Sequence, residues 1–373
     1  MLGGGQLGRM LLTETQKLDI FTCILDPSPE APCAEICNEF YQGNLLDFET
    51  VYNFGKKVDL LTIEIENVNI DALDQLEKEG LKIYPKPKDI RIIQNKAHQK
   101  NFYKNHSIPT ADFNHYAYKD ELIHACNHSI VAFPFVWKAA RFGYDGNGVK
   151  IVRNYADLEN LPAVECIVEE LIAFKNELAV IVARNKKGDL KTYPVVEMEF
   201  HPEANQVEYV ICPARISEEV ALKARKIALK LANKFNFIGL LAVEMFQTSF
   251  DEILVNEVAP RTHNSGHYSI EASYTNQFEQ HLRSILNLPL GNTDSKVAGV
   301  MVNLVGAEGH TGNVVYKNLE ELLSIDGVTP HIYGKKITKP FRKMGHVTIV
   351  DKDIDKARKI AKKVKQIIKV ITN

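Results

Sequence analysis

The chain has 373 residues, 45% of them hydrophobic, and its charges nearly balance at a net charge of −2. That length predicts two or three domains with packed cores. A pI near 6.6 leaves no basic footprint for nucleic acid, and no apolar run reaches the roughly 20 residues that span a bilayer. No secretory signal is evident, and the six cysteines lack a second pair to complete a zinc site. We therefore expect free thiols, a cytoplasmic location, and no nucleic-acid or membrane partner.

The first section of the chain, as far as Tyr84, alternates short apolar strands with helices. This order is typical of a parallel, doubly wound α/β sheet with a Rossmann-like arrangement. The stiff segment at 84–87, with prolines at 85 and 87, predicts a domain boundary after residue 85. The predicted strands cover 21–25 and 60–65, and the predicted helices cover 8–18, 48–57 and 70–78.

A glycine-rich turn lies near the start of the chain. Gly3 to Gly8 satisfy the G-x-G-x-x-G pattern, and Asp26 follows at about the distance expected of a ribose-binding acid. Taken alone, the pattern predicts dinucleotide binding. Glycines there also expose helix N–H groups to any phosphate, so another phosphate ligand, or no ligand, stays open. Only Met1 and Leu2 precede the turn, whereas the first strand of such a sheet is central, so we expect the natural chain to begin several residues upstream.

The second section combines a helix, a strand and a loop rich in glycine. The helical pattern at 89–105 contains Lys96, and the strand at 133–138 ends in Lys138. Glycines in the loop at 139–148 let its backbone N–H groups wrap phosphates, although no Walker motif is present. We interpret the loop and its flanking strands as a phosphate-binding flap, and an ordinary surface hairpin is the alternative.

Further strands follow, and one of them ends in two acids. Glu169 and Glu170 close an apolar run whose edge can offer backbone groups to a purine, and Glu177 is a further exposed acid. Ser217 is a suitable N-cap for an amphipathic helix through Phe235, which we expect to pack on the sheet. The predicted strands cover 149–152, 166–172, 176–184, 190–196 and 206–212.

Two adjacent apolar strands carry a pair of carboxylates. Glu244 lies within the first and Glu257 ends the second, with a tight turn between them. If the hairpin is centred between Phe250 and Asp251, the two Glu residues lie opposite each other with Cβ atoms roughly 5 Å apart. Like charges so close repel in an apolar sheet, and a hard divalent cation reverses the repulsion. We therefore predict a Mg²⁺ site, with Mn²⁺ as a second candidate; a protonated Glu or a different register is the alternative.

A polar loop follows Glu257 and gathers Arg261, His263, Asn264 and His267. Burying such groups without partners costs several kcal/mol. We therefore expect a ligand or metal beside this loop, and an ordinary polar loop is the alternative.

The last section, from residue 291, predicts a small mixed α/β domain. Its strands cover 297–304 and 346–350, and a basic amphipathic helix covers 354–369. That helix is typical of a solvated cap and not of a membrane anchor. The pair Arg342 and Lys343, taken alone, is typical of a solvated basic turn.

Four motifs stand in order along the chain, at 3–10, 142–148, 256–267 and 342–346. Together they resemble the ATP-grasp superfamily and, within it, the N5-carboxyaminoimidazole ribonucleotide synthase family. The resemblance spans nearly the whole chain, and its most specific part is Asn-Glu-Val-Ala-Pro-Arg-Thr-His-Asn-Ser-Gly-His at 256–267. Two features depart from the family pattern: the first strand is missing, and Asn147 stands where Lys or Arg is more usual.

The resemblance implies an α/β and α+β fold in three domains. A Rossmann-like, substrate-binding pre-ATP-grasp domain would cover 1–85. An ATP-grasp domain would cover 86–290, with a flap subdomain at about 110–168, and a small mixed α/β domain would cover 291–373. Family members are commonly dimers, so a homodimer is also implied.

The resemblance also implies a site for ATP and magnesium. Lys96 and Lys138 would hold the nucleotide, and Glu177 would bind the ribose hydroxyls. His201 or its neighbour Phe200 would lie near the nucleotide. Glu169, Glu170, Leu171 and Ile172 would line the adenine, while Gly143, Tyr144, Asp145, Gly146, Asn147 and Gly148 would close over the triphosphate. Magnesium would be held by Glu244 and Glu257, with help from Asn256. Strict alternation along a strand directs the side chain of Asn256 away from that of Glu257. Its contact with the metal therefore needs a β-bulge or the end of the strand.

The remaining implied residues would contact the other substrates. Arg342 and Lys343 would grip a ribonucleotide phosphate, a role that suits cationic donors. Tyr144, Asp145, Arg261, His263 and Asn264 would face bicarbonate and 5-aminoimidazole ribonucleotide, and Gln6, Leu7, Glu66 and Asn67, at the carboxyl ends of parallel strands, would complete the substrate site.

The implied activity is the carboxylation of the exocyclic amine of 5-aminoimidazole ribonucleotide in purine biosynthesis, driven by ATP and bicarbonate through carboxyphosphate. Three alternatives remain at this stage. The first is another ATP-grasp ligase, such as a formate-using transformylase or a biotin carboxylase. The second is a nicotinamide-binding oxidoreductase or sensor, and the third is a nucleotide-binding module without catalysis.

Overall fold

The computed structural model describes residues 1–141, 148–202, 204 and 206–373. Its first section forms short parallel strand pairs, β1 with β2 and β3 with β4, flanked by helices as predicted. Leu2 is fully buried and bridges in parallel to both Leu25 and Ile63, so it lies between the two pairs. The elements are α1 (Gln6–Gln16), β1 (Cys23–Asp26), β2 (Glu39–Gln42), α2 (Phe48–Gly55), β3 (Leu60–Leu61), α3 (Ile70–Lys78) and β4 (Lys82–Ile83).

The stretch expected as one helix at 89–105 is two helices, α4 (Pro87–Ile93) and α5 (Lys96–Asn105). Asn95 separates them with an extended backbone, and its side chain accepts hydrogen bonds from Ala97 N and His98 N. Asn95 causes the break because Asn caps a helix more favourably than it continues one. Periodicity alone misses the break because it records only the spacing of apolar residues. The break starts a new helix at Lys96.

A four-stranded sheet in the order β5-β8-β6-β7 follows. Its core surrounds Trp137 and includes Cys126 and Cys166, and all six cysteines of the chain are free thiols as predicted. The elements are β5 (Phe113–Tyr116), α6 (Lys119–Asn127), β6 (Phe135–Ala139), β7 (Val149–Val152), α7 (Tyr155–Glu159) and β8 (Cys166–Glu170).

The largest sheet has nine strands, and its antiparallel path begins β14-β13-β9-β11-β12. The run expected as one strand at 190–196 is two strands, β10 and β11, because Pro194 lies between them and lacks the N–H that a ladder needs. Helix α8, capped by Ser217 as predicted, packs Ala224, Ala228 and Leu231 against this sheet. The elements are β9 (Phe174–Arg184), β10 (Leu190–Thr192), β11 (Val196–Phe200), β12 (Val207–Cys212), α8 (Glu218–Phe235), β13 (Gly239–Thr248) and β14 (Ile253–Ala259).

The C-terminal section extends the same sheet, because β15 pairs with β12 and then β19 and β17 follow. The sheet therefore crosses the predicted boundary at residue 291. A short 3-10 helix at Asn264–Gly266 and two helices precede it. The elements are α9 (Ser269–Ala272), α10 (Gln277–Ile285), β15 (Ala298–Val305), β16 (Gly312–Lys317), α11 (Leu319–Leu323), β17 (Val328–Ile332), β18 (Ile337–Thr338), β19 (Lys343–Asp351), α12 (Ile354–Ile367) and β20 (Lys369–Thr372).

Helix α12 packs its small and apolar face on the C-terminal strands through Ala357, Ala361 and Val364, all fully buried. Its lysines lie on the outer face, as expected of a solvated cap. Among the described residues, no helix combines the length and the apolar character that crossing a bilayer requires.

The register of the β13–β14 hairpin confirms the predicted pairing of Glu244 with Glu257. The turn itself is centred on Phe250, since Met245 pairs with Val255, so the predicted centre is wrong by half a residue. A β-bulge at Asn256 adds one residue and restores the predicted register beyond it. The bulge also frees Asn256 from strict alternation, as its expected contact required.

We predict that Gly306→Ala destabilises the turn before Lys343. Gly306 N donates to Arg342 O (2.9 Å), and Phe341 N donates to Gly306 O (2.9 Å). A Cβ at 306 would overlap Lys339 O, so the free energy of unfolding should fall by about 1–3 kcal/mol, as measured by chemical denaturation. Gly309→Ala is the control because a Cβ there meets open space and only its left-handed backbone adds strain, about 1 kcal/mol. Equal losses in both variants would contradict the overlap.

Candidate active site

A cavity of about 1080 Å³ lies where the three sections of the chain meet. It gathers most of the residues that the sequence singled out. From the predicted set the lining contains Gln6, Leu7, Glu66, Asn67, Lys96, Lys138, Glu169, Glu170, Leu171, Ile172, Glu177, Glu244, Asn256, Glu257, Arg261, His263, Asn264 and Lys343.

Three described residues of the predicted set lie outside this lining. Phe200 lines the cavity in place of His201, whose ring lies 5.8 Å from that of Phe341. Arg342 donates from Nη1 to Ile337 O (2.5 Å) on the protein surface. Gly148 lies directly before β7, and its carbonyl accepts from Ala139 N (2.9 Å). The predicted residues Gly143, Tyr144, Asp145, Gly146 and Asn147 lie outside the described residues.

The two paired carboxylates contact cations from other elements. Lys96, the first residue of α5, forms an ion pair with Glu257, and His263 Nε2 lies 3.1 Å from Glu244 Oε1. The charge of Lys96 holds the pKa of Glu257 low, at about 2, despite its burial. Asn256 Oδ1 accepts from Lys138 Nζ (2.7 Å). Two carboxylates and one amide oxygen are hard ligands of the kind that Mg²⁺ prefers, so these side chains fit that ion.

Glu169 is buried on β8 between two lysines. Lys100 Nζ and Lys138 Nζ each lie 2.7 Å from one of its carboxylate oxygens. Burial favours the neutral acid, but the charges of Lys138 and Lys100 outweigh it and hold the pKa of Glu169 below its usual value. Burial lowers the pKa of Lys100 to about 8.

Sequence reasoning missed Lys100. Lys96 and Lys100 are four residues apart on α5, a spacing that places both on one helix face. That face is buried, since Ala97 and Tyr103 are also inside. A lysine on the buried face of a predicted helix indicates an ion pair, because a buried charge needs a partner. This signal could have identified Lys100.

Glu177 lies on β9, where Phe246 of β13 is its partner across the ladder. Burial, and then the charge of Glu244, raise the pKa of Glu177 to about 8. Without a ligand the side chain therefore carries a proton near neutral pH.

The polar loop after β14 contacts both the first section and the C-terminal section. Arg261 forms an ion pair with Glu66, with Nε and Oε1 2.9 Å apart. Asn264 and Asn303 of β15 exchange two amide hydrogen bonds of 3.0 Å. These contacts fix the loop across the mouth of the cavity.

The glycine turn also borders the cavity, through an acid that the sequence did not single out. Glu64 Oε1 accepts from Leu7 N (3.1 Å) at the start of α1, and burial raises the pKa of Glu64 to about 7. Its position two residues before Glu66 was the available signal for it. Asp26 accepts from Gly4 N (2.7 Å), so the acid of the dinucleotide pattern braces the turn itself.

Three family models match successive parts of the chain. The ribonucleotide synthetase preATP-grasp domain matches residues 1–94, the ATP-grasp domain matches 101–278, and the phosphoribosylaminoimidazole carboxylase C-terminal domain matches 299–360. The N5-carboxyaminoimidazole ribonucleotide synthase of Bacillus subtilis is 36% identical, over 95% of this chain and 92% of its own length. The chain belongs to the N5-carboxyaminoimidazole ribonucleotide synthase family.

Solved structures of this ATP-grasp ligase family have the same fold. The synthetase from Thermotoga maritima superposes with a TM-score of 0.91 at 42% identity, covering 100% of this chain and 98% of its own. The synthase from Aspergillus clavatus in complex with ADP and 5-aminoimidazole ribonucleotide gives a TM-score of 0.89 at 32% identity, covering 98% and 96%. The three-part fold expected from the sequence is therefore confirmed.

We predict that Glu177→Gln stabilises the ligand-free protein more as the pH rises. The folded pKa, about 8, lies above the ordinary value of 4.5, so the folded state binds the extra proton between these values and wild-type stability falls across that window. Gln carries no such proton. The difference in thermal midpoint between variant and wild type should grow from pH 5 to pH 9, and parallel pH profiles would contradict the assignment.

Proposed function

We propose that this protein carboxylates the exocyclic amine of 5-aminoimidazole ribonucleotide with ATP and bicarbonate, giving N5-carboxyaminoimidazole ribonucleotide, ADP and phosphate. One observation carries the proposal: the lysines and acids suited to a nucleotide line the same cavity as the loop with Arg261 and His263. The Aspergillus clavatus relative in complex with ADP and 5-aminoimidazole ribonucleotide supports the same two ligands here.

The nucleotide would occupy the side of the cavity between the two sheets. Lys96 and Lys138 supply positive charge for the phosphates. The backbone from Glu169 to Ile172 offers an edge for the adenine, and Glu177 faces the ribose hydroxyls. We also propose that residues 143–147 of the flap close over the triphosphate.

Magnesium would be held by Glu244, Glu257 and Asn256, with phosphate oxygens as further ligands. When bound, the ion offsets the charge of the phosphates during in-line transfer. Lys96 pairs with Glu257 and His263 contacts Glu244 in the ligand-free chain, so nucleotide and metal would release both side chains to face the phosphates.

The reaction proceeds in two transfers. An oxygen of bicarbonate attacks the γ-phosphorus, and the bond to ADP breaks to give carboxyphosphate. The exocyclic amine then attacks the carboxyl carbon of carboxyphosphate and displaces phosphate, or it attacks carbon dioxide after carboxyphosphate has released phosphate. In both routes the nitrogen loses a proton. Arg261 stabilises the developing negative charge, and His263 orients bicarbonate or accepts the proton. A closed cavity keeps water from the intermediate.

The ribonucleotide would bind where the first and last sections meet. Gln6 and Leu7 present the start of helix α1, and Glu66 and Asn67 border the same space. The resemblance implies that Arg342 and Lys343 both bind the phosphate of the ribonucleotide. Of these two residues Lys343 lines the cavity, so we assign the phosphate to Lys343 alone.

Three further features rest on the family resemblance and are proposed with it. These are a homodimer, a cytoplasmic location, and domain limits at residues 85 and 290. Light scattering on the purified protein measures the first of them.

The proposed function predicts that ADP release requires both bicarbonate and 5-aminoimidazole ribonucleotide, because the amine is the final acceptor. Coupled detection of ADP, with each substrate omitted in turn, measures this requirement. ADP formed without either substrate, or none formed with both, would count against the proposal. A formate requirement would indicate another ATP-grasp ligase, and a change in nicotinamide fluorescence on mixing would favour the dinucleotide alternative.

We predict that Arg261→Ala separates nucleotide binding from carboxylation. ATP affinity should stay close to that of the wild type, while carboxylation falls by about 100-fold or more, as expected when one donor to developing charge is lost. Calorimetry and product analysis measure the two effects. Arg225→Ala is the matched control, since that arginine pairs with Glu218 on the surface of α8. Loss of nucleotide affinity alone in Arg261→Ala would refute the assigned role.

A further inference from the structure

His267 closes the polar loop and has no role in the proposed chemistry so far. It lines the cavity although its side chain is almost fully buried. Its ring packs against His346, with centroids 4.7 Å apart, and against Phe278 at 5.9 Å. The ring is therefore held by packing, and its role depends on the hydrogen bonds of its two nitrogen atoms.

The side-chain amide of Gln277 determines which nitrogen of His267 carries the proton. Gln277 is fully buried on α10 and bonds the backbone of His263 twice. His263 N donates to its Oε1 (2.8 Å), and its Nε2 donates to His263 O (2.8 Å). A backbone N–H can only donate and a carbonyl can only accept, so the orientation of the amide follows from the backbone.

The second hydrogen on Gln277 Nε2 is directed at His267 Nδ1, 2.9 Å away. Nδ1 must accept this bond, so it carries no proton, and the neutral ring has its proton on Nε2. Burial, with the positive charges of His263, His331, Lys343 and Arg261, holds the pKa of His267 well below its usual range. The neutral tautomer with an Nε2–H donor is thus the stable form.

His267 lines the cavity, and Nε2 is the ring nitrogen that Gln277 does not bond, so we take Nε2 as the atom presented to the cavity. Within the described residues no side chain or backbone group bonds it, and it is absent from the fully buried nitrogens without a partner, which include His346 Nε2 and His281 Nδ1. Gly266 keeps the arrangement compact, because a Cβ there would lie 2.5 Å from Gln277 Oε1. The protein therefore presents one fixed donor at this wall of the cavity.

We propose that His267 is a further substrate-binding residue, whose Nε2–H donates a hydrogen bond to an anionic oxygen of a substrate. The inference rests on the proposed function and adds a residue to the same site. Arg261 and Lys343 line the cavity with it, and their charges suit an anion. Two sources offer such an oxygen: the carboxylate derived from bicarbonate and the phosphate of the ribonucleotide.

His267→Phe and His267→Gln test the donor. Phe keeps a planar ring against His346 and removes the N–H, so kcat/KM should fall by about 10- to 100-fold, as for a lost bond to a charged group. Gln keeps an N–H of similar reach and should recover most of that loss. A raised KM for bicarbonate assigns the bond to the carboxylate, and a raised KM for the ribonucleotide assigns it to the phosphate.

His281→Phe is the matched control because His281 is also buried, on α10, where Nε2 lies 3.0 Å from Thr62 Oγ1. It should lower the thermal midpoint and leave both KM values unchanged. Unchanged kinetics in His267→Phe, or equal impairment by Phe and Gln in folded protein, would overturn the inference. If the wild type released no ADP in response to its substrates, the proposed function would be overturned instead. The role of His267 would then still be decided by titrating the ribonucleotide and bicarbonate directly into the His267→Phe and His267→Gln variants.

Discussion

The site depends on the neutralisation of carboxylates by cations that come from different elements. Glu169 on β8 and Glu257 on β14 belong to two separate sheets, and helix α5 contacts both through Lys100 and Lys96. Lys138 on β6 joins them, since it contacts both Glu169 and Asn256. An unpaired buried charge costs several kcal/mol, so the buried Glu169 binds both of its lysines firmly, and Lys96 adds an ion pair to the partly exposed Glu257. Lys96 and Lys138 are the cations that we propose to hold the phosphates of ATP, so stability and nucleotide binding would use one set of charges.

The bulge at Asn256 shows how one extra residue reconciles two requirements. Strict alternation cannot direct neighbouring residues toward the same space. By leaving Asn256 unpaired in the ladder, the bulge keeps Glu257 opposite Glu244 and gives the amide its contact with Lys138. Without it, either the second carboxylate or the amide would leave the site.

The sequence predicted local structure well where the pattern itself contains the cause. Helix 70–78 and strand 149–152 agree with the structure residue for residue, and the cap at Ser217 is confirmed. Long-range relations were beyond it, because periodicity says nothing about partners distant in the chain. The continuation of the large sheet into β15 was missed for this reason, whereas Lys100 was missed although its place on the buried face of α5 gave a local signal. For the site, most of the described residues that the motifs named line one cavity, whereas Arg342 and His201 lie outside that lining.

Helix α10 holds the polar loop after β14 in place. Gln277 at its start fixes the backbone of His263 and the tautomer of His267. Asn276, its cap, donates to Glu14 of α1 (2.9 Å), the helix whose first residues border the ribonucleotide side. One short helix thus connects the glycine turn to the polar loop. Side-chain hydrogen bonds through α10 therefore link α1 of the first section to the polar loop.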